Sequence, residues 1–361
     1  MSKIGILTFH NVVNYGGVLQ SYALQEFLKN NGYDVEIINY QSKHIKENNK
    51  LIKVSSVKEA IKSIITFPLN FSRLMHYHKF INKNLKLSKK IKDYDALKNI
   101  CEEKYDYVIV GSDQVWNSEI TQNEKNIYFF DGIAVKKISY AASTGDDKND
   151  DIERIIKSYN DFIAISVREE STQNKLLDKD IKVSLNCDPT LLLDKVEWEK
   201  ILIDNNNKTK YLLIYILGAN ENIANYSNYI RGQKGIDKIY TFSKQKFGIK
   251  RIKSIATSGP LEFLNYFKNS TCILTNSFHG TVFSIIFQKN FFVMLPTKRP
   301  ERIKSLLNIF GLNNRIIYNF DDLKNNIDKR IDYEKVWDIL KEERNKSFLF
   351  FKNNIGGNRW K

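Results

Sequence analysis

The residues best able to do chemistry are His279, Arg168, Asp113 and a loop at 10–17 reading H-N-V-V-N-Y-G-G. His279 stands in N-S-F-H-G-T, between an apolar run at 273–275 and an apolar stretch beginning at Thr281. The first run reads as the end of a buried strand and the second as a buried helix. The imidazole is therefore expected at a strand-to-helix turn. There the unpaired N–H groups of the first turn and the helix dipole favour a bound anion. Ser277 and Thr281 can cap that turn, and Gly280 would let a ligand approach the backbone. The competing reading is that His279 only caps or packs beside the helix. Arg168 follows the apolar run 162–167 and can clamp a carboxylate or phosphate through two parallel N–H donors, or pair with Glu169. Asp113 follows the strand-like run 107–110 in G-S-D-Q-V-W-N, where it is either a site residue or a helix N-cap. A basic loop, Lys298, Arg299 and Arg302, adds positive charge after the last strand of the second half.

Positioning such groups calls for an α/β fold. Residues 4–9 form a strand, 10–17 a loop, 18–30 an amphipathic helix stopped by Asn31-Gly32, and 35–39 the next strand, opening a doubly wound sheet. The unit lacks G-x-G-x-x-G and the P-loop pattern, so Gly16-Gly17 supports nucleotide binding and a tight turn equally. Residues 43–92 are polar, basic and helical in pattern, an insertion between strands. His76 and His78 are two apart, which puts them on different helix faces and argues against a metal pair. Strands follow at 107–110, 137–142 and 162–167, with 182–186 extended. Composition shifts over 194–210, and a second α/β series runs through 211–217, 239–242, 272–275 and 291–295. A helix at 302–310 and a last one at 333–351, with Trp337 and Leu340 inward, complete the chain. The expected domains are 1–195, 205–330, and a C-terminal helix and tail at 331–361.

Composition narrows the function classes. Among 361 residues, 56 Lys and Arg stand against 41 Asp and Glu, a formal charge of +15, which favours anionic partners. No Arg-rich block or nucleic-acid-binding signature is present, so nucleic acid is the weaker option. Cys101, Cys187 and Cys272 are far apart and set in apolar runs, reading as buried thiols of a reducing compartment. There is no signal-peptide pattern at the start and no apolar run of the ~20 residues needed to span a bilayer. The expected location is cytoplasmic, with any membrane contact peripheral at the inner face. H-E-x-x-H, G-x-S-x-G and a cysteine in motif context with histidine are all missing, which leaves metal, serine-hydrolase and thiol chemistry unsupported.

Six segments in order carry a resemblance. N-Y-G-G-V-L-Q-S-Y-A-L at 14–24, V-G-S-D-Q-V-W-N at 110–117, S-V-R-E at 166–169, D-P-T-L-L-L at 188–193, S-F-H-G-T at 277–281 and R-I-K-S-L-L at 302–307 together resemble the polysaccharide pyruvyl transferase family. The resemblance implies two Rossmann-like domains facing across a cleft in a GT-B-like arrangement, with the C-terminal helix packing back. It also implies phosphoenolpyruvate as co-substrate and a sugar of a cell-surface polysaccharide or its lipid-linked precursor as acceptor; no further cofactor and no metal are expected. His279 matches the family histidine and Arg168 the S-V-R-E arginine. Some members carry Arg where this chain has Ser277, so Lys298, Arg299 or Arg302 would have to supply that charge.

The expected assignment puts donor contacts at Arg168, Ser277, Gly280, Thr281 and Arg302, and acceptor contacts at Asn14, Gly16, Gly17 and Gln20. His279 and Asp113 are the catalytic candidates. Ketal formation from an enol ether phosphate needs a proton at the methylene carbon, and histidine, with an ordinary pKa of about 6.5, suits that task. His279 can equally serve as a phosphate ligand. Two other readings share the charge and the architecture: a GT-B-like glycosyltransferase using a nucleotide-sugar, and a charge-driven glycan- or nucleic-acid-binding module.

Overall fold

Two parallel sheets, each wrapped by helices, organise the chain in a computed structural model that describes residues 2–42, 47, 57–145, 148–202, 209–218, 222–245 and 247–356; of residues 57–60 and 62 only the backbone is described. Contacts divide the chain into two units. The first comprises Met1–Ile64, His78–Leu193 and Lys341–Lys361, and the second Ile65–Tyr77 and Asp194–Leu340. The expected polar run at 204–210 lies mostly outside the described residues, as does much of the start of the insertion at 43–92.

In the first unit the elements are β1 (Lys3–Leu7), α1 (Tyr15–Asn30), β2 (Asp34–Ile37), α2 (Val57–Asn84), α3 (Tyr94–Lys104), β3 (Tyr107–Val110), α4 (Ser118–Thr121), β4 (Lys136–Ser139), α5 (Asn149–Ser158), β5 (Phe162–Ala164), β6 (Ser166–Val167), α6 (Glu170–Leu177) and β7 (Ser184–Leu185). Residues 65–77 of α2 group with the second unit. The sheet order is β2-β1-β3-β4-β5, every pair parallel. Strands β1 and β3 bury nearly every residue, as a sheet covered on both faces requires. The apolar run 162–167 is not one strand. It breaks at Ile165, so that β5 pairs with β4 while β6 pairs with β7. Buried Ser139 supports the break: its hydroxyl donates to the Ser166 carbonyl at 2.9 Å and accepts from the Ser166 N–H at 3.0 Å.

The second unit contains α7 (Lys195–Glu199), β8 (Tyr211–Tyr215), α8 (Ile223–Gln233), β9 (Lys238–Thr241), β10 (Ile252–Ser254), α9 (Pro260–Asn269), β11 (Cys272–Thr275), α10 (Phe278–Ile286), β12 (Asn290–Met294), α11 (Glu301–Ile309), β13 (Ile316–Ile317), α12 (Phe320–Asn326) and the start of α13 (Tyr333–Asn354). Its order, β10-β9-β8-β11-β12-β13, is parallel throughout and reverses between β8 and β11. This is the strand order of a dinucleotide-fold sheet. The short strands β10 and β13 carry too few apolar residues to announce themselves by periodicity, and the sequence reading passes over them.

The far end of α13 belongs to the first unit. Arg344 donates to the carbonyls of Leu191 (2.6 Å) and Leu193 (2.8 Å), fixing the D-P-T-L-L-L segment. Phe351 is fully buried and stacks on Tyr140 with centroids 4.6 Å apart. In the part of α13 that stays with the second unit, Leu340 is buried while Trp337 is half-buried, so Val336 and not the tryptophan shares the inward face. Phe351→Ala should destabilise the first unit by about 3–5 kcal/mol, the usual cost of emptying a buried aromatic site. Urea unfolding should show it, with exposed Lys352→Ala close to wild type.

Candidate functional site

Open parallel sheets bind ligands at the carboxyl ends of their strands, in the crevice where the strand order reverses. In the second unit that point lies between β8 and β11, and the segment leaving β11 is Asn276–His279. The turn is tied to the end of β8. Thr275 Oγ1 donates to the Tyr215 carbonyl at 2.7 Å and accepts from the Ser277 N–H at 3.1 Å. The Asn276 side chain accepts from the Leu217 N–H at 2.7 Å and donates to the Leu217 carbonyl at 2.9 Å, like an added strand residue. Ser277 is the N-cap of α10, its Oγ accepting from the Gly280 N–H at 3.3 Å, and Thr281 Oγ1 donates to the Ser277 carbonyl at 3.1 Å.

His279 thus occupies the second position of α10, 8% exposed, its ring set at 89° to that of Phe278 with centroids 5.2 Å apart. The Arg302 guanidinium, from the start of α11, lies over the Phe278 ring at 5.1 Å, a cation–π contact that holds a positive charge beside the histidine turn. Lys298 is exposed and Arg299 half-buried on the loop leaving β12, the strand next to β11. Arg299 takes a left-handed backbone, φ 60°.

Gly280 has a packing role. A Cβ there would stand 2.3 Å from Thr275 Oγ1 and 3.0 Å from Tyr215. Glycine is required there so that α10 can press onto β8 and β11. Thr281 is fully buried and Ser277 nearly so. These three residues build the turn, and His279 and Arg302 are the side chains it presents.

One cation here is invisible to motif reading. Arg73, on α2, lies over the Tyr77 ring at 5.6 Å, and His76 Nδ1 is 3.0 Å from the Thr257 carbonyl, just ahead of α9. Tyr215, on β8, packs on Phe263 of α9 at 5.2 Å. Burial pushes the Tyr215 phenol up, while the Arg73 charge and a hydrogen bond with the Ser277 side chain pull it back. The inserted helix therefore brings an arginine's charge to bear on Tyr215, the partner of the Ser277 side chain.

In the first unit the order reverses between β1 and β3. The loop leaving β1 runs into α1, which begins at Tyr15 and not at Val18. Asn14 is its N-cap, accepting from the Gly17 N–H at 3.2 Å, so Tyr15, Gly16 and Gly17 are the buried first turn. Asp113 leaves β3 with φ 78°, a region that non-glycine residues enter at a cost and that recurs at functional sites. It caps no helix; Asn117 caps α4. One carboxylate oxygen accepts from the Gln114 N–H at 2.9 Å. The other lies 3.3 Å from where a Cβ on Gly17 would stand. Asn14, Gly17 and Asp113 are thus brought together at the sheet's reversal point. Gln20 is not presented with them: it is fully buried, its amide donating to Thr8 Oγ1 (2.7 Å), the Gly17 carbonyl (3.0 Å) and Ser21 Oγ (3.1 Å).

Arg168 belongs to the first unit and the other four residues grouped as donor contacts to the second, and its surroundings favour the ion-pair reading. Its guanidinium donates to Asp188 Oδ2 at 2.5 Å, to Glu169 Oε1 at 3.2 Å and to Ser112 Oγ at 3.3 Å. Burial works against its charge, but Glu169, Asp188 and Asp113 outweigh burial and hold its pKa above the ordinary value. One cation among three carboxylates is a poor electrostatic host for a further anion. Arg168→Ala would leave two buried carboxylates without their counter-charge, which typically costs about 3–5 kcal/mol. The expected result is a lower unfolding temperature with phosphoenolpyruvate affinity kept in the folded fraction. Calorimetric titration showing affinity lost at unchanged stability would restore the donor-clamp role.

The comparisons with known proteins agree with this architecture. A UDP-GlcNAc 2-epimerase structure superposes with a TM-score of 0.55 at 13% identity, covering 99% of this chain and 98% of that one. A putative UDP-N-acetylglucosamine 2-epimerase from Listeria monocytogenes gives 0.53 at 11% identity, covering 99% and 92%. The UDP-GlcNAc 2-epimerase of Methanocaldococcus jannaschii gives 0.50 at 17%, covering 100% and 96%. At such identities the likeness establishes the fold, two Rossmann-like units of the GT-B type, and nothing of the substrate. No curated protein sequence matches significantly. The sequence profile of the family named "Polysaccharide pyruvyl transferase" matches residues 14–297, most of the chain and both reversal-point loops, and the chain belongs to that family.

Proposed function

We propose that this protein transfers a pyruvyl group from phosphoenolpyruvate to a sugar of a cell-surface polysaccharide or of its lipid-linked precursor. The observation that carries the reading is the placement of His279 in the first turn of α10, at the reversal point of the second sheet, with Arg302 held on the neighbouring Phe278 ring. Helix N-terminus, imidazole and guanidinium together suit an anion whose reaction begins with protonation.

His279, as imidazolium, gives its proton to the methylene carbon of phosphoenolpyruvate, leaving an oxocarbenium-like centre at the adjacent carbon. A sugar hydroxyl oxygen bonds to that carbon, the carbon–oxygen bond to phosphate breaks, and a second hydroxyl closes the ketal. Of the two protons released by the hydroxyls, one returns to the imidazole and the other leaves on inorganic phosphate. Arg302, with Lys298 and Arg299, offsets the donor's negative charge. On the first unit, Asp113 is the group proposed to orient or deprotonate an acceptor hydroxyl, and Asn14–Gly17 the backbone that meets the sugar. No additional cofactor is invoked. The excess of basic residues suits an anionic lipid-pyrophosphate acceptor and a location at the inner face of a membrane.

Phosphoenolpyruvate should raise the unfolding temperature and UDP- or GDP-sugars should not, since only a ligand of the native state stabilises it. The reverse pattern would favour a nucleotide-sugar transferase. His279→Ala and His279→Gln should both lower transfer by 10²–10⁴-fold, roughly what general acid catalysis contributes, with the fold intact by circular dichroism. A near-wild-type Gln variant beside an inactive Ala variant would make His279 a phosphate ligand and not the acid. Asp113→Asn should lower turnover while phosphoenolpyruvate affinity survives; turnover unchanged per folded molecule would leave Asp113 a purely structural group.

A further inference from the structure

Helix α2 buries one face and, among the described residues, leaves the other exposed. Tyr77, Phe80 and Ile81 are buried, and Arg73 and His76 on the same side make the contacts described above. On the opposite face Ile61, Ile64, Ile65, Phe71 and Met75 are exposed, spaced i, i+3, i+4, i+10 and i+14, one stripe of a 3.6-residue helix. Phe67 and Leu69 flank it, and the Phe67 and Phe71 rings stack at 5.8 Å. Among the described residues, seven of the fourteen exposed large apolar side chains fall within residues 61–75. Apolar surface concentrated in this way marks a contact surface and not ordinary scatter.

The charge beside the stripe identifies what covers it. Lys79 and Lys83 continue the same face one and two turns on, both exposed, and Lys86, Lys89 and Lys90 follow in the next segment. The chain as a whole carries +15. A second copy would set these lysines against one another, whereas an anionic bilayer surface attracts both halves of the face, lipid tails taking the Ile and Phe side chains and headgroups the lysines. No helix among the described residues is long and apolar enough to cross a membrane, so the helix would lie in the interface plane.

We propose that the outward face of α2, Ile61 to Met75 with Lys79 and Lys83, docks this protein on an anionic lipid surface. That placement agrees with a lipid-linked acceptor and deepens the proposed function to that extent. Docking is read without donor or acceptor, so its failure and that of the transfer reaction are separable. The test is co-sedimentation of the full chain with vesicles of phosphatidylcholine alone and of phosphatidylcholine with 30% phosphatidylglycerol. Binding to the anionic vesicles at least tenfold above the neutral ones is expected, weakening in 0.5 M salt as screening predicts. The double variant Ile64→Asp, Phe71→Asp should lose at least tenfold in partition, and Lys79→Glu, Lys83→Glu a comparable amount. Ile163→Asp, an exposed apolar position outside α2, should bind like wild type. All these positions are exposed, and circular dichroism should confirm unchanged folding. Equal binding by wild type and the Ile64→Asp, Phe71→Asp variant, or no binding to anionic vesicles, overturns the proposal. So does a wild-type dimer in sedimentation equilibrium that this variant abolishes, since the stripe would then be an interface between copies.

Discussion

A parallel sheet covered on both faces has nowhere to put polar chemistry except at the ends of its strands, and the two large sheets obey that constraint. Strands β1, β3, β8 and β11 are buried almost throughout, so their side chains are spent on the cores. Where the strand order reverses, the segments leaving neighbouring strands diverge to opposite faces and open a crevice. In the second unit that crevice receives the turn carrying His279, and in the first unit it receives Asp113 and the first turn of α1. The α10 N-terminus stands at the second of these places because α10 begins three residues after β11 ends, and a longer loop brings the first turn of α1 to the other.

The cost of building such a turn explains why so many of its motif residues are structural. Thr275 and Asn276 tie the turn to Tyr215 and Leu217 through three hydrogen bonds, two more on Thr275 and Ser277 close the turn itself, and Gly280 lets α10 sit against Thr275 and Tyr215. A histidine held so firmly loses little further freedom when it engages a ligand, which is the physical meaning of preorganisation. The Arg168 cluster plays the corresponding part in the first unit. It joins segments leaving β3, β6 and β7 through Ser112, Glu169 and Asp188, and its field reaches Asp113.

Helix α2 links this chemistry to the protein's surface. Its inward face sends Arg73 toward the Tyr215–Ser277 pair, and its outward face carries the apolar stripe. One inserted helix thus bears on the His279 turn from one side and on the surroundings from the other. Pro68, which stands inside the helix, interrupts neither face.

The sequence by itself determined the α/β class, the central strands and the turn at His279. Each depends on local pattern: buried runs such as 107–110 and 272–275 appear as strands with those same bounds, because continuous burial leaves an unmistakable apolar signature. The family, too, was legible in six short segments. Tertiary structure alone decided what each polar residue does there. Gln20 is buried, and Gly280 is where α10 packs on Thr275 and Tyr215. Arg168, which the sequence left open between a clamp and an ion pair, is paired with Glu169 and Asp188, residues whose nearness depends on how β6 and β7 associate. Arg73 carried no motif at all. Periodicity records which side of an element is buried, but not which other element lies against it, and the partners of a charged side chain are set by that second fact.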